Sequence, residues 1–453
     1  MPVNSTHPQY AHHSERWERV RSVIDSEVQK FIKTIDVNDS ARDKQYRDDA
    51  ILTNFTLRTR NALVGSVFRL PATVDLPREL EYLVPDATGD MLTLEQLAQT
   101  ITSDVIEVGR AGFLVDYPTA VEGLTEAEVE ELALSARIKP YKAETIINWS
   151  VKQIGSIAKV DMIVLLEASQ ELGEDGFTWE AAVQYRVLRL VEGVYTQIVM
   201  NDEDEIISAV QPRRNDGTTF DTIPFVFIGS ENNDPQVDSA PLYDMSNINI
   251  GHYKNSADYE ESVHITGQPT LFMSSAFSAD DFAEANPNGV KIGARRGHNV
   301  GEGGSAMLLQ AAPNQLADEA MKRKEQQAVM TGARLIMPQS GVETAEAAML
   351  RASSESSVLN IIVNNVEAGL VKALEISTQF MGGNPEEIEY KLNREFFDNR
   401  MDPQELMAQI QTLDRQIIST KDLRANMRRA GLIAADRTDE DIDEDLGDMD
   451  PLA

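Results

Sequence analysis

Residues 291-KIGARRGHNVGEGGSAMLL-309 are rich in glycine and carry adjacent arginines, a combination that elsewhere cradles phosphate. A P-loop needs G-x-x-x-x-G-K-[ST], and the nearby Lys291 precedes the glycines instead of following them. Gly301, Gly303 and Ala306 spell G-x-G-x-x-A, which binds a dinucleotide only after a buried strand and at the start of a helix. The preceding GARRGHNV is too polar for such a strand, and Ser305–Leu309 read as a strand themselves. The stretch therefore reads as part of a turn-rich β module, with Arg295 and Arg296 at a loop tip. The second glycine pair, 109-GRAGFLVDYP-118, sits where a helix gives way to a strand, and glycine there ends the helix and lets the backbone come close. Asp116 closes that strand with no accompanying base or nucleophile motif. No G-x-S-x-G, S-x-x-K set or EF-hand loop occurs, so the sequence does not look like an enzyme.

Composition narrows the classes further. The chain has no cysteine, which excludes disulfides, thiolate metal sites and cysteine nucleophiles. His7, His12, His13, His252, His264 and His298 form no HExxH or comparable pair, which argues against a zinc enzyme, and no cofactor is expected. The N-terminus lacks a signal-peptide pattern, and no apolar run approaches the ~18 residues of a membrane span, so a protein made in a cytoplasm and free of membrane is expected. Seventy-four acids against 41 bases give a formal charge of −33, which opposes gripping nucleic acid through phosphate neutralisation. The excess suits general solubility or a surface that DNA passes without sticking. Residues 436–453 hold nine acids and one base and read as a self-repelling, disordered tail.

At 453 residues two to four domains are expected, and 42% hydrophobic content is enough to give them cores. Residues 14–70 read as helical, with Trp17, Val20, Ile24, Val28, Phe31 and Ile32 at helical spacing and a second run over 46–71 stopped by Pro71. A third helix follows Thr93, which forms a capping box with Gln96. From Phe113 the period changes to two: 113–118, 145–151, 159–169, 180–193, 194–200 and 223–230 read as strands, with Glu192-Gly193 a hairpin turn. No crossover helix separates the later strands, so the sheet should be largely antiparallel and the fold class α+β. A polar helix over 241–265 precedes the β-rich 266–312, and a second over 313–336 follows it. Residues 322–327 of the latter contain no apolar side chain, as in a solvated connector or a helix packed against copies of itself. The strongest helix runs through 342–383, capped by Ser340 and Glu343, with Leu359, Ile362, Val363, Val366, Leu370, Ala373, Leu374 and Ser377 on one face and two glycines at its end. A short strand and two small helices complete the chain.

The order of these parts resembles the portal proteins of tailed bacteriophages, most closely the group carrying the DUF4055 domain. The resemblance rests on 61-NALVGSVFRLP-71, 109-GRAGFLVDYP-118, 247-NINIGHYKNSADYEESVHITGQPTLF-272 and 342-VETAEAAMLRASSESSVLNIIVNNVEAGLVKAL-374. It implies an α/β wing over 1–240, stem helices over 241–265 and 313–336 flanking a small β-rich clip over 266–312, and a tunnel loop over 337–342. A long wing helix and return strand over 343–400 and a short helical crown with the acidic tail over 401–453 complete the protomer. It further implies a homo-oligomeric ring, usually of twelve, at a virion's capsid vertex, assembled in the host cytoplasm. Double-stranded DNA would pass through without sequence specificity, pumped by the terminase large subunit and leaving toward a head-completion or tail adaptor protein. Major capsid and scaffold proteins would be further partners. On that pattern Lys322, Arg323, Lys324 and Arg334 are candidate channel residues, Met337, Pro338, Gln339, Ser340 and Gly341 the tunnel loop, and Arg295 and Arg296 clip contacts with partners. Successive residues of a helix lie about 100° apart, so Lys322, Arg323 and Lys324 cannot all face one lumen. Those turned away would pair with acids such as Glu260 or Glu261 of a neighbouring subunit. Lys322 and Arg334, about three turns apart, could share a face. The competing reading is a non-portal acidic adaptor or scaffold protein of a phage particle, and a third is an enzyme built around Asp116.

Overall fold

A computed structural model describes residues 2–118, 134–172, 176–267, 270–287, 299–309, 315–332 and 345–394, together with 396, 407, 410–413, 415, 419–429, 432–433 and 437–447. The fold is α+β with antiparallel sheets. The chain divides into two units, one of residues 1–14, 61–240 and 340–453, the other of 15–60 and 241–339. The N-terminal block expected as 1–240 is thus split, because residues 15–60 cluster with the polar helices that follow residue 240.

In the first unit, the helix α4 (Leu94–Val108) starts at the expected capping box: Thr93 accepts from Gln96 N while Gln96 accepts from Thr93 N. It ends at Gly109 in the left-handed region, φ 77°. The strand β2 (Arg110–Asp116) follows directly and lies between β3 (Arg137–Lys142) and β9 (Phe225–Gly229), antiparallel to both. β3 escapes sequence reading because Pro140 argues against a strand; it is tolerated here because β3 is an edge. Helix α8 (Ala345–Met381) packs on β9, β2 and α4. All eight positions of its expected apolar face, Leu359 through Ser377, are buried. Each fully buried Leu, Ile or Val of that face contributes about 1.5–3 kcal/mol. Gly382 and Gly383 end the helix at φ 86° and 95°.

A second sheet is a five-stranded meander of β4 (Ile146–Ile154), β5 (Ile157–Leu172), β6 (Trp179–Val191), β7 (Val194–Asn201) and β8 (Ile206–Val210). Glu192 and Gly193 make its two-residue β6–β7 turn with φ 52° and 83°, the doubly left-handed geometry that matches strand twist. β8 is a short, mostly exposed edge strand that the sequence reading, ending its run at residue 200, does not include. The short strands β1 (Thr73–Asp75) and β12 (Glu389–Lys391) pair antiparallel.

The two sheets are joined by a charged network. Arg186 on β6 grips Glu167 on β5 through Nε (2.6 Å) and Nη2 (3.1 Å), and its Nη1 reaches Asp116 on β2 at 3.4 Å. Tyr141 on β3 donates to Glu167 at 2.5 Å. Asp116 is therefore a structural ion-pair partner. Nearby, the guanidinium of Arg110, 1% exposed, lies between the rings of Trp149 (4.2 Å) and Phe227 (4.7 Å) and donates to Pro235 O and Gln236 O. Burial pulls its pKa down to about 9.

The same chain segment, 230–240, presses on Gly109, where a Cβ would meet Ser239 O at 2.4 Å. Gly109→Val should therefore lower stability by about 2 kcal/mol or more, through the left-handed backbone and the clash together. A urea midpoint within error of the parent would contradict this packing.

The second unit contains α2 (Ser40–Asp48), α5 (Tyr243–Gly267) and α7 (Leu316–Met330). It also holds the greater part of α1 (Pro8–Ile24) and the first turns of α3 (Phe55–Val67), up to Arg60. The helix expected over 46–71 is broken at 49–54: Asn54 Oδ1 accepts from Leu57 N at 2.8 Å and caps α3, and Ile51 N donates to Ser256 Oγ. Val23, Val28, Ile32, Tyr46, Ile250, Tyr253 and Ala257 form this unit's larger core, and Phe55, Met245 and Ala328 a smaller one.

Residues 439–447, within the segment expected to be disordered, form helix α10 (Asp439–Gly447) beside α9 (Thr420–Arg429). Among the described residues, no helix is long and apolar enough to cross a membrane.

Candidate functional site

The polar helices that flank the β insertion are the part of the chain whose composition demanded explanation. α5 is not a bare connector: Ser246, Asn249, His252 and Ser256 are all buried. The N-terminal segment meets the polar groups of Asn249 and Ser256, while Ser246 donates to Tyr243 O within the helix. Asn249 Oδ1 accepts from Thr56 N and Thr56 Oγ1, both at 3.1 Å, and its Nδ2 donates to Thr53 O at 2.9 Å. Tyr46 OH donates to Asp258 at 2.7 Å, and Arg19 donates to Asn247 at 3.0 Å. Burial, and then Asp258, pushes the Tyr46 phenol well above its ordinary value. Buried polar groups that are fully paired fix one arrangement of the helices, because any shift leaves donors and acceptors unmet.

α7 lies along α5 in the opposite direction: Met245 packs with Ala328, His252 faces Glu325 and Asn255 faces Lys324. His252 Nε2 is 3.4 Å from Glu325 Oε1, and its ring stands nearly perpendicular to that of Phe55, 5.2 Å between centroids. Burial lowers its pKa below the usual histidine value, so the ring is neutral at physiological pH.

The three basic candidates on α7 separate as helix geometry requires. Lys322 and Arg323 are exposed, and Lys322 pairs with Asp318 of its own helix at 2.7 Å. Lys324 turns inward, donates to Asn255 and lays its side chain against Gly251, where a Cβ would come within 2.8 Å of its Cε. Glu261 does not wait for a neighbouring subunit: Arg42 of the same chain holds it at 2.7 Å. Arg334 and the loop Met337, Pro338, Gln339, Ser340 and Gly341 lie outside the described residues, as do Arg295, Arg296 and the cap at Ser340 and Glu343.

Between α5 and α7 the insertion holds the ribbon β10 (Thr270–Ser274) and β11 (Ser305–Leu309), paired antiparallel, and a short helix α6 (Ala279–Ala285) capped by Ser278. The sequence pattern did not reveal α6. Gly301 and Gly303, at φ 80° and 85°, make turns that lead into β11. The G-x-G-x-x-A segment therefore opens a strand, not a helix, and has no helix N-terminus to offer a pyrophosphate. Phe272, Met307, Leu308 and Leu309 are more than half exposed on this ribbon. Among the described residues no group of three or more His, Asp or Glu side chains is placed to hold a metal ion.

A family model described as a domain of unknown function, DUF4055, matches residues 241–381, which run from the start of α5 to the end of α8. No curated protein matches the chain. Among solved structures, it is similar to a chain in the virion of a native gene transfer agent particle (13% identity, TM-score 0.44, covering 82% of this chain and 89% of that one). It is also similar to a chain in the neck of an empty gene transfer agent particle (13% identity, TM-score 0.46, 82% and 89%). A third likeness is to an HK97-family phage portal protein from Corynebacterium diphtheriae (14% identity, TM-score 0.33, 76% and 96%).

Proposed function

We propose that this chain is the protomer of a portal-type ring at a virion's capsid vertex, a conduit and not a catalyst. The observation that carries the reading is the α5–insertion–α7 arrangement: two helices running in opposite directions, joined by the Asn255–Lys324 and His252–Glu325 contacts, with a small β module carried between them and α8 following. That is the order stem, clip, stem, long wing helix. In this reading the ring, of twelve subunits as is usual for portals, passes double-stranded DNA pumped by a terminase large subunit and later delivers it to a head-completion or tail adaptor protein. Capsid and scaffold proteins surround it. Lys322 and Arg323 supply the lumenal charge of the described stem, with Arg334 further along and 337–341 as the constriction. Arg295 and Arg296 meet docking partners at the clip. The negative charge of the chain keeps passing DNA from adhering, since each neutralised phosphate contact adds salt-dependent affinity.

The purified full-length chain should form closed rings with a central channel by negative-stain microscopy. A folded chain that stays monomeric or dimeric at all concentrations would overturn the portal reading and favour the acidic adaptor.

A further inference from the structure

The C-terminal helices carry a feature that the conduit does not use. α9 contains Lys421, Arg424, Arg428 and Arg429 in ten residues, a basic helix in a chain of net charge −33. α10 runs back along it. Arg424 meets Asp443 at 2.7 Å and Arg428 meets Asp439, so two arginines one turn apart face two aspartates one turn apart in reverse order. Arg428 Nε also donates to Arg437 O at 2.8 Å, and Arg424 Nη1 approaches Asp439 O at 3.5 Å. The contact leaves the arginine side chains only 12% and 21% exposed.

α10 has little reason to be a helix by itself. Asp439 with Asp443, Glu440 with Glu444 and Asp441 with Asp445 are like charges four residues apart, an arrangement that destabilises an isolated helix. It is also too short to be helical alone in water. Thr438 caps it by accepting from Asp441 N, and Arg437 reaches Asp445, but the cross-helix partners are the arginines of α9. The acidic helix is folded by the basic face that it covers, and both ends of the contact are electrostatic. Such a contact gives way to a competing polyanion of higher charge density.

We propose that α9 is a latent binding face for duplex DNA and that α10 is a built-in acidic cover which occupies it. The choice of DNA as the ligand rests on the portal reading; the geometry of the cover does not. In full-length protein the face is closed and the chain repels DNA. Opening it exposes Arg424 and Arg428 to phosphate.

The test uses fluorescence anisotropy of a labelled short duplex at about 50 and about 200 mM salt. Two opened proteins are compared with the parent: a chain ending after Arg437, and the full-length Asp439→Asn/Asp443→Asn variant, which is informative even if the truncation misfolds. Both should bind the duplex about tenfold or more tighter at low salt, with a log–log salt slope steeper by about two for two added phosphate contacts. Adding Arg424→Ala/Arg428→Ala should erase the gain. An equal charge change elsewhere, Asp202→Asn/Glu203→Gln at an exposed turn, should not reproduce it. No gain in either opened protein overturns the proposal, as does a gain that survives loss of the arginines or appears equally in the control. Microscopy of the same samples keeps the two readings apart. Rings that show no gain sink the cover alone, whereas a gain in a chain that forms no rings sinks the portal alone.

Discussion

Arg186→Met is expected to destabilise the first unit by about 3–5 kcal/mol, because it leaves Glu167 and Asp116 with no guanidinium partner at largely buried positions. The side chains of Glu167 and Asp116 are only 18% and 14% exposed, so water does little to replace the lost contacts. The double variant Arg186→Met/Glu167→Leu should recover a large part of the loss, since removing both charges also removes the cost of desolvating them. Chemical unfolding of the parent, single and double variants measures this. A single variant within about 1 kcal/mol of the parent would mean that the network does not join the two sheets. The pH dependence follows from the same site. Burial alone would raise the Glu167 carboxyl, but the hydrogen bonds from Arg186 and Tyr141 and the charge of Arg186 hold it below the ordinary value. A depressed carboxylate contributes stability that is complete above its unfolded pKa, about 4.3, and is lost as pH falls through its lower folded value. Acid unfolding of the parent should thus have a component below about pH 4 that Glu167→Gln removes.

On the proposed portal reading, reversal of both exposed charges of α7, Lys322→Glu with Arg323→Glu, should leave rings intact and cut DNase-protected DNA per particle about tenfold or more. The fold should tolerate the change: both side chains are exposed, and the Lys322–Asp318 pair is a solvent-screened surface pair that adds little to stability. The function should not, because each subunit then presents repulsion where it presented weak attraction, and a ring multiplies the change. Lys324→Met makes the contrast. Its side chain is turned toward α5, so it should disturb stability and leave the electrostatics of passing DNA unchanged. Normal packaging by rings carrying both reversals would remove Lys322 and Arg323 from the channel.

How much of this was legible in the sequence depended on which force orders each segment. Apolar periodicity found α8 and eight of the residues it buries, missing Ile376 and Phe380, and local chemistry found the Thr93 capping box, the Gly109 stop and the Glu192-Gly193 turn. These are features in which the residue type is itself the cause. Two kinds of element escaped. β3 was hidden by Pro140, which is harmless because, among the described residues, no further strand pairs with that edge. The packing of residues 15–60 on α5 was hidden because its specificity is polar: Thr56 and Asn249 look like surface residues until they are seen satisfying each other. A hydrophobic pattern cannot report a buried hydrogen bond between residues so distant in the chain. α10 failed for a related reason, since its own composition opposes a helix and the stabilising arginines lie on another segment. At the candidate site, helix geometry correctly separated Lys322, Arg323 and Lys324 onto different directions, but it could not say that Lys324 and Glu261 find partners within the same chain.

The pairing of β1 with β12 has a consequence for the timing of synthesis. Thr73 and Lys391 are register partners, roughly 300 residues apart, and the unit that contains them is interrupted by the whole of the other one. At about 5–20 residues per second, a ribosome takes roughly 15–60 s between making the two strands. For much of that interval the apolar face of α4, and later that of β9, waits for α8. The first unit is therefore finished only near the end of translation, while the second can close as soon as α7 has emerged. Folding that must wait for a distant strand leaves sticky surface exposed, so yield should depend on temperature and chaperone supply more than native stability suggests.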